Sequence, residues 1–443
     1  MKQYPAYKDS GIEWIGKIPV HWQKRRVKSV MDYIVNGIWG EDPVGDKNDI
    51  VCVRVADFDM LKLGISKENL TQRNINMSQQ NNRMLSQNDI LIEKSGGGEK
   101  QSVGRVISID IDEKAVCSNF VGKIAIKSDE IIPRFGAYLF FSMYAIGLNR
   151  KAIKQTTGIQ NLDTDNYFNE YFYTPSFEEQ KDISEFLDRK TAQIDDLIAK
   201  KERMIELLKE ERSAIINQAV TKGLDLRVEM KDSGIEWLGK VPKQWKVKKL
   251  KHVADKVQTG ITPPSENASY YDDGNIDWYT PGDFKESVQL RNSFRKINRL
   301  AIEKGVARVF LPYSVLLIGI GATLGKVGII EKLSSSNQQI NAITFSDKFN
   351  PFFGVYYLQA ITNTVISLSN ASTLAILNQT QTKDILVLVP PLEEQGKIVQ
   401  YIQSVELKHA KIVNKEQKQI DLLKEFRTAL ISEVVTGKID MRN

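Results

Sequence analysis

The sequence predicts a mixed α/β (α+β) protein in which two similar inserts alternate with two long helices. Three observations predict this class. The chain of 443 residues contains an internal repeat, its inserts alternate short β-rich runs with polar loops, and each half ends in a long stretch with helical periodicity. The hydrophobic fraction of 42% and the charged fraction of 26% are ordinary for a globular protein, so each half can bury a core of its own.

The repeat relates the beginnings and the ends of two half-chains. KDSGIEWIGKIP at 8–19 and KDSGIEWLGKVP at 231–242 share 10 of 12 residues at an offset of 223. LLKEERSAIINQAVTKGLD at 207–225 and LLKEFRTALISEVVTGKID at 422–440 share 10 of 19 residues at an offset of 215. The middles do not visibly match. The chain therefore contains two copies of one scaffold, each of which surrounds a different insert. Such an arrangement suits a protein that recognises two different features at a fixed separation.

A long helix is predicted at the end of each half, over 178–221 and 393–436. The first stretch contains no Gly or Pro, and the second contains only Gly396 in its first turn. Apolar residues recur at heptad-like spacing in both. They are Leu187, Ile194, Ile198, Ile205, Leu208 and Ile215 in the first helix, and Ile398, Ile402, Val405, Ile412, Leu423, Phe426 and Leu430 in the second.

Proline and glycine mark the limits of both helices. Pro175 and the Pro390–Pro391 pair precede them, while Gly223 and Gly437 follow them as helix C-caps do. Each helix has one apolar seam, and two helices with the same ending most simply bury these seams against each other. Polar residues that interrupt a seam often fix register, and Lys201, His409 and Glu416 have such positions. The alternative is two separate helices that each pack on their own domain.

The inserts, roughly 30–175 and 253–390, are predicted to be mixed α/β domains of the same kind. VRVADF at 53–58 aligns with YTPGDF at 279–284, DILIEKSGGGEKQSVGRV at 89–106 with SVLLIGIGATLGKVGI at 314–329, and CSNF at 117–120 with SSNQ at 335–338. Helix-like stretches are Phe135–Ile146 and Phe352–Ile366. Strands are predicted at 50–55, 89–93, 104–109, 122–126, 314–318, 326–330, 342–345 and 385–389.

Positive charge is concentrated at the repeated beginning of each half. The net charge is +6, and residues 1–30 hold seven Lys or Arg against two acids, while 227–256 hold nine against four. Two basic segments at equivalent places, HWQKRRVK at 21–28 and QWKVKKLK at 244–251, suit two contacts with a polyanion. A solvated charged face is the alternative. The chain has no apolar run long enough to span a bilayer and only two cysteines, so we expect a cytoplasmic protein without a membrane partner.

These residues resemble the DNA-specificity (S) subunit of type I restriction–modification systems. The resemblance covers essentially the whole chain. It rests on the KDSGIEW-(I/L)-GKxPxxW opening of each half, on the strand–Gly-rich turn–strand segment of each insert, and on the PxxEEQ entry to each long helix. Each motif is weak alone, whereas the complete order repeated twice is highly specific.

The resemblance implies a domain order and a role. It implies two target-recognition domains, one per half of a split site in double-stranded DNA, separated by antiparallel coiled-coil helices in a pseudo-twofold arrangement. The expected boundaries are 1–177, 178–222, 223–390 and 391–443. Two copies of a methylation (M) subunit and a restriction (R) subunit are the implied protein partners. The S subunit itself has no catalytic centre and no cofactor; S-adenosylmethionine is expected on the methylation partner, and ATP and Mg on the restriction partner.

Catalytic motifs are incomplete in this sequence, as expected for a subunit that reads DNA. Asn350-Pro351-Phe352-Phe353 only echoes the pattern with which adenine methyltransferases grip a base, and no FxGxG loop precedes it. Gly321 and Gly325 are separated by three residues where a phosphate-binding P-loop needs four, and Val327 follows Lys326 where Ser or Thr is needed. The histidines and cysteines show no metal-ligand spacing. A stand-alone nuclease or methyltransferase, and a coiled-coil scaffold that binds only proteins, are the competing hypotheses.

Candidate DNA contacts come from the polar loops of the inserts and from the basic segments. Arg, Lys, Asn and Gln read base edges, and short hydroxyl side chains assist. The base-contact candidates are Arg54, Lys94, Ser95, Lys100, Gln101, Thr157, Gln160 and Asn161 in the first insert, and Thr280, Lys326, Gln338, Thr373 and Asn378 in the second. The phosphate candidates are Lys24, Arg25, Arg26, Lys248, Lys249 and Lys251. The repeated Trp14, Trp22, Trp237 and Trp245 are predicted to anchor the scaffold rather than to stack on bases.

Overall fold

The computed structural model describes residues 2–87, 89–98, 101–156, 158–285, 287–369 and 375–442. The chain forms two compact units, residues 1–203 with 416–443 and residues 204–415, so each long helix contributes to both. Among the described residues, no helix combines the length and the hydropathy that a membrane span requires.

The first unit is built on a four-stranded antiparallel sheet in the order β11-β9-β13-β4. The unit contains the strands β1 (Tyr7–Asp9), β2 (Lys17–Pro19), β3 (Gln23–Arg26), β4 (Met31–Asn36), β5 (Asp49–Val53), β6 (Phe58–Asp59), β7 (Gly64–Ile65), β8 (Gln72–Asn74), β9 (Asp89–Glu93), β10 (Ser95–Gly96), β11 (Val106–Ser108), β12 (Ala115–Cys117), β13 (Val121–Ile126), β14 (Ile153–Thr156), β15 (Ile159–Leu162) and β16 (Tyr171–Thr174). Its helices are α1 (Met77–Gln80), α2 (Pro133–Ala145), α3 (Thr164–Tyr167) and part of α4 (Phe177–Lys222).

The remaining strands of the first unit form smaller sheets around the central one. A three-stranded sheet, β12-β5-β8, contains the parallel pair β5–β12, and a second three-stranded sheet has the order β10-β15-β14. Strand β3 pairs with β16, which leads into α4. The buried core lies between the first two sheets and includes Val53, Leu91, Ile107, Ala115 and Val121.

The second unit repeats this plan with a five-stranded sheet in the order β20-β28-β25-β26-β22 and a four-stranded sheet in the order β23-β21-β27-β24. Its strands are β17 (Met230–Asp232), β18 (Lys240–Pro242), β19 (Lys246–Lys249), β20 (Ala254–Thr259), β21 (Ile276–Tyr279), β22 (Gln289–Leu290), β23 (Arg295–Ile297), β24 (Val309–Phe310), β25 (Val315–Ile318), β26 (Val327–Ile330), β27 (Ser334–Ser336), β28 (Ile340–Phe345) and β29 (Leu386–Val389). Its helices are α5 (Arg299–Glu303), α6 (Pro351–Ala360), α7 (Thr362–Ser367), α8 (Gln379–Asp384) and part of α9 (Leu392–Val435).

The predicted strands and the helices at 135–146, 178–221 and 393–436 are confirmed within a few residues at their ends. The helix-like stretch Phe352–Ile366 is instead two helices, α6 and α7, that meet at Ile361. Runs of β-branched and other apolar residues located the strands that are buried on both faces, such as β9 and β25. Strands β4 and β20 were not predicted, because they carry polar residues such as Asp32 and Lys256 on an exposed face. Strand β27 was not predicted either, because its three residues are all serine.

The two units share a hydrogen-bond skeleton that corrects one of the sequence alignments. The amide of Ile38 donates to the carbonyl of Cys117 in the first unit, and the amide of Ile261 donates to Ser336 in the second. Cys117 is therefore equivalent to Ser336, so CSNF matches SNQQ at 336–339. The predicted match to SSNQ was wrong by one residue, because SSS and QQ allow either register in the sequence.

The EEQ motif at each helix entry has a structural role that is the same in both units. The Gln180 side chain accepts from the amide of Ile132 at 2.9 Å and donates to Thr174 and Pro175, which ties the start of α4 to the start of α2. Gln395 likewise accepts from the amide of Asn350 at 2.7 Å and donates to the carbonyl of Pro390. Both glutamines are buried, so their amides satisfy backbone groups that water cannot reach.

Segments of α4 and α9 pack against each other in each unit. In the first unit Arg427 contacts Asp195 at 2.9 Å and Lys201 contacts Glu416 at 2.7 Å, so α9 runs opposite to α4. In the second unit Glu211 faces the buried His409 at 3.4 Å, and Arg212 pairs with Glu406. The predicted polar interruptions Lys201 and Glu416 thus form an ion pair with each other, and His409 faces the Glu211 carboxylate.

One predicted seam residue of α9 was wrong. Phe426 is half exposed, whereas its neighbour Arg427 is buried against Asp195. The heptad-like pattern selected Phe426 because it is apolar. The ion pair with Asp195 instead allows the arginine to occupy the interface, with its guanidinium near the Phe141 ring.

Both long helices end at the predicted glycines, which adopt positive φ angles of 79° at Gly223 and 72° at Gly437. A lysine next to each glycine makes equivalent contacts in the two units. The ammonium of Lys222 donates to the carbonyls of Leu238 and Lys240 in the second unit. The ammonium of Lys438 donates to the carbonyls of Ile15 and Lys17 in the first.

The repeated tryptophans differ in how deeply their side chains are buried. Trp22 and Trp245 are fully buried, and a Cβ on Gly437 or Gly223 would lie about 3.2–3.3 Å from their rings. This agrees with the predicted role as scaffold anchors. Trp237, in contrast, is 45% exposed, while the ring nitrogen of Trp14 is buried.

Candidate nucleic-acid interface

The glycine-rich turn of the first unit follows β9 at one end of the central sheet. Gly96 and Gly97 have φ angles of +119° and +58°, and a Cβ on Gly97 would lie 2.9 Å from the carbonyl oxygen of Gln101. Only glycine accommodates this turn without strain. The turn borders an open cavity of about 610 Å³, which Gln101, Arg105 and Phe120 also line.

The structure brings the two predicted contact loops of the first unit together. Strand β10 pairs with β15, so that Ser95 lies opposite Asn161 and Gly96 lies opposite Gln160. The Ser95 hydroxyl donates to Asn161 Oδ1 at 2.6 Å, and the Asn161 side chain is exposed. Gln160 is buried instead, and its Oε1 accepts from the amide of Val103 at 3.3 Å. Gln160 therefore supports the turn and does not itself face solvent.

Two basic candidates of the first unit have partners within the unit. Arg54 caps the 3₁₀ turn that follows β5, with its guanidinium 2.8 Å from Asp57 Oδ1. The Lys94 ammonium donates to Asn36 Oδ1, and its stem covers Gly122. Partial burial lowers the pKa of Lys94 from its usual value. Lys94 directly precedes the turn, and a DNA contact by either cation would share or replace these bonds.

The equivalent turn of the second unit leads to a cavity of about 380 Å³ with a different lining. Predicted residues Gln338 and Asn378 line it, together with Thr259, Gln339 and Gln379. Asn378 is the N-cap of α8, where its Oδ1 accepts from the amide of Gln381 at 2.9 Å. Gln338 is exposed, and its Oε1 accepts from the Thr262 hydroxyl.

Other predicted residues of the second unit lie elsewhere. Thr280 is equivalent to Arg54 and caps the corresponding 3₁₀ turn, with its hydroxyl 2.8 Å from Asp283 Oδ2. Lys326 is exposed beside a separate groove that Lys209 and Lys285 also line. Predicted residues Lys100, Thr157 and Thr373 lie outside the described residues.

The basic segments lie at the opposite end of the sheet from the turns. Strand β3 carries Lys24, Arg25 and Arg26 and precedes β4, whose far end at Asn36 contacts Lys94. Six residues of β4 span about 17–20 Å at ~3.3 Å per residue. The same order holds for β19 and β20. The phosphate candidates and the base-contact candidates are therefore separated by about the length of one strand in each unit.

The basic side chains differ in how firmly they are held. Arg25 pairs with Glu130 at 2.5 Å, and Lys24 and Arg26 lie over the Tyr171 ring. Lys249 and Lys251 share Asp384 at 3.0 and 3.6 Å, and these two lysines hold the pKa of that carboxyl below its usual range. Lys248 precedes them on β19 and is exposed.

Sequence reasoning missed several residues at these sites because their equivalence appears only in the hydrogen bonds. Arg105 is equivalent to Lys326. The backbone carbonyl of Arg105 accepts from the amide of Glu93, and the backbone carbonyl of Lys326 accepts from the amide of Ile318, the residue equivalent to Glu93. Arg105 makes a bidentate pair with the buried Glu93 at 2.8 and 3.2 Å. Asn341 is equivalent to Gly122 and is buried, with its amide donating to Leu377 and Thr382. A buried asparagine carries no exposed-loop signal in the sequence.

Within the described residues, no three His, Cys, Asp or Glu side chains gather in a way that could hold a metal ion. The Asn350 side chain caps α6, where its Oδ1 accepts from the amides of Phe352 at 2.9 Å and Phe353 at 3.3 Å. The methyltransferase-like pattern is thus explained by helix capping.

Comparison with known proteins agrees with the repeated arrangement. A family model described as the type I restriction modification DNA specificity domain matches residues 19–207 and 242–422, which is most of the chain in two segments. The type I restriction enzyme MjaVIII specificity subunit of Methanocaldococcus jannaschii is 25% identical over 376 residues, covering 81% of this chain and 80% of that protein.

Solved structures show the same fold at low sequence identity. A chain from a study of complex assembly and conformational transition of the type I R-M system has a TM-score of 0.67 and 18% identity, covering 95% of this chain and 99% of that one. The HsdS subunit of Thermoanaerobacter tengcongensis has a TM-score of 0.55 and 16% identity, covering 95% of this chain and 98% of its own.

Proposed function

The chain belongs to the type I restriction–modification DNA specificity family, and we propose that each of its two inserts reads one half of a split DNA target. The observation that carries the proposal is the pair of equivalent sites. One backbone skeleton presents Ser95, Gln101 and Asn161 in the first unit and Gln338, Ile320 and Ile376 in the second. A protein that reads two different half-sites needs a common frame with different side chains at its reading positions.

The chemistry of modification belongs to partner subunits in this proposal. Two copies of a methylation subunit bring S-adenosylmethionine and methylate adenine, and a restriction subunit brings ATP and Mg. The repeated scaffold supports a twofold assembly, because Lys222 and Lys438 make equivalent contacts in their respective units. The chain contributes sequence choice and positioning, without a catalytic step of its own.

The long helices act in the proposal as a coiled-coil spacer that sets the number of base pairs between the half-sites. Opposed segments of α4 and α9 within each unit support it, and so do the ion pairs between them. Half-sites read on one face of B-DNA lie about 34 Å apart, one helical turn. A rigid helix keeps such a distance, whereas a flexible tether does not.

Methylome sequencing tests the function directly. A host that carries the chain with its native methylation subunit is compared with the same host lacking only this chain. We expect one split, asymmetric motif with methylated adenine to disappear on deletion. An unchanged methylome, with the methylation subunit shown to be active on another specificity subunit, would refute the proposal.

A further inference from the structure

The two sites differ most sharply at one pair of positions. In the first unit the amide of Leu162 donates to the carbonyl of Lys94, and in the second the amide of Leu377 donates to that of Gly319. Each carbonyl belongs to the last residue before the turn. Stepping one residue along each strand makes Ser95 equivalent to Ile320 and Asn161 equivalent to Ile376.

The paired positions face each other in both units. Ser95 lies opposite Asn161 in β10 and β15, and Ile320 forms an isolated antiparallel bridge with Ile376. The backbone arrangement is therefore the same, whereas a hydrogen-bonded polar pair in the first unit is replaced by two isoleucines in the second. Ile376 is 39% exposed, and both isoleucines line the open cavity.

A purely structural role explains the isoleucines only in part. A cross-strand apolar pair stabilises a sheet, but by no more than about 1 kcal/mol. Ile376 is 39% exposed in a cavity bordered by glutamines, so it forgoes more than a third of the burial that would stabilise its side chain. The arrangement is instead typical of a surface that is completed by a ligand with a small apolar group.

The glutamines beside the two isoleucines, Gln338 and Gln339, can donate hydrogen bonds into the cavity. Gln338 Oε1 accepts from the Thr262 hydroxyl, and Gln339 Oε1 accepts from the Asn337 amide at 2.9 Å. The carbonyl oxygen of each side chain is thus engaged within the unit. Among the described residues neither amide NH₂ group has a hydrogen-bond acceptor, so both can donate to a ligand. The site therefore combines apolar carbon with hydrogen-bond donors.

We propose that Ile320 and Ile376 read the 5-methyl group of a thymine in the half-site of the second domain, with Gln338 or Gln339 donating to its O4. Thymine is the base whose major-groove edge combines a methyl group with an acceptor. Cytosine presents an amino donor in place of O4, which the glutamine amides would oppose. The inference rests on the proposed function and names the base and the side chains at that same site.

The pair Ser95–Asn161 then has a different role in the first half-site. With Asn161 Oδ1 accepting from Ser95, the exposed Asn161 amide is a donor, and the residue opposite it is a serine where the second unit has an isoleucine. This polar pair suits a base-edge acceptor rather than a methyl group. Replacing thymine by uracil should therefore weaken binding in the second half-site at the position that these isoleucines read, and at no position that Asn161 reads.

The test measures binding of the chain complexed with its methylation subunits to synthetic duplexes. The target is taken from the methylome, and exchange of the 253–390 insert identifies the half-site of the second domain. Each thymine of both half-sites is replaced singly by deoxyuridine, which removes only the methyl group. We expect one position of the second half-site to lose about three- to tenfold in affinity.

Variants assign that loss to the isoleucines. Ile376→Ser, alone and with Ile320→Ser, should bind the thymine and uracil duplexes equally, while the response to substitutions in the first half-site stays unchanged. Leu311→Ser is the matched control, because Leu311 is an exposed apolar residue that precedes the other end of β25. It should retain the full discrimination.

Failure of the inference can be told from failure of the proposed function. If the complex binds its split target but no thymine of the second half-site responds to deoxyuridine, the inference is wrong and the function stands. The same holds if that half-site contains no thymine, or if Ile376→Ser keeps the discrimination. If the complex binds no split target at all, the proposed function fails first.

Discussion

The two units place a large and a small residue beside the turn in opposite ways. In the first unit Lys94 lies over Gly122, and a Cβ on that glycine would be 2.8 Å from the lysine stem. In the second unit the positions are reversed: Asn341 occupies the place of Gly122, and Gly319 that of Lys94. A large and a small residue have exchanged strands while the backbone hydrogen bonds persist. The frame therefore tolerates wide changes in side chains beside the turn, provided that the local volume is conserved.

The largest expected effect comes from exchanging one whole insert. Replacing 30–175 with the corresponding insert of another member of the family should change one half-site completely and leave the other intact, because each unit has its own core. Methylome sequencing of the hybrid measures both half-sites at once. A change in both would show that the two units are not independent readers.

The common frame can be broken at its tightest point. A Cβ on Gly37 would lie 2.1 Å from the Cys117 carbonyl oxygen, and one on the equivalent Gly260 would lie 2.2 Å from that of Asn337. We expect Gly37→Ala or Gly260→Ala to destabilise its unit by roughly 3 kcal/mol or more, as severe steric mutations do. Urea denaturation of each variant measures this change in the free energy of unfolding.

Gly396→Ala is the matched control for both glycines. Gly396 lies in α9, and a Cβ at this position would meet open space. Because alanine has a higher helix propensity than glycine, the substitution should raise the free energy of unfolding by at most about 1 kcal/mol. Equal losses of stability at Gly37, Gly260 and Gly396 would contradict the assignment of the first two as close-approach positions.

The EEQ glutamines should be equivalent in energy as they are in geometry. Gln180→Ala and Gln395→Ala each leave a partly buried backbone amide without its acceptor, for which we expect a loss of about 1–3 kcal/mol in the free energy of unfolding. The exposed Gln417→Ala should change the free energy of unfolding by less than about 0.5 kcal/mol. A loss in only one unit would show that the entry motif has diverged.

The exchange of large and small residues can be tested by a double-mutant cycle. Gly122→Asn alone should destabilise the first unit by about 1–3 kcal/mol, because it overpacks against Lys94. Adding Lys94→Gly, which recreates the combination of the second unit, should recover part of that loss. Additive effects in thermal unfolding would argue against the compensation.

The smallest effect is expected at the basic strands. Lys24→Ala in the first unit and Lys248→Ala in the second should each reduce the slope of log K against log salt by about 1 without changing the methylated motif. Equilibrium binding of the complex at several salt concentrations provides the slope. An altered motif would mean that these lysines contact bases.

The sequence was sufficient for the features that repeat or alternate. Duplicated motifs located both scaffolds, periodicity located α4 and α9, and β-branched runs located strands such as β9 and β25. These features follow from local chemistry, which one chain displays openly.

The candidate sites could be predicted only in part. The turn at Ser95–Gly98 and the loop at Asn161 were both recognised, but their pairing depends on a strand register that sequence does not reveal. Ile320 and Ile376 were missed because apolar residues in a strand region are read as core. Gln160 was chosen for its residue type, although its side chain supports the turn from a buried position.

The lysine contact that joins each helix end to the hairpin at the beginning of a half, here called the clasp, bears on how such a chain arises. Lys438 meets the hairpin at 7–19 as Lys222 meets the one at 230–242, although the first contact joins residues over 400 positions apart and the second joins near neighbours. The peptide connection at 223–229 is therefore not what forms this junction. A circular permutant, or a half-length ancestor that paired with a second copy of itself, could make the same clasp, and gene fusion would then have freed each copy to evolve its own reading loops.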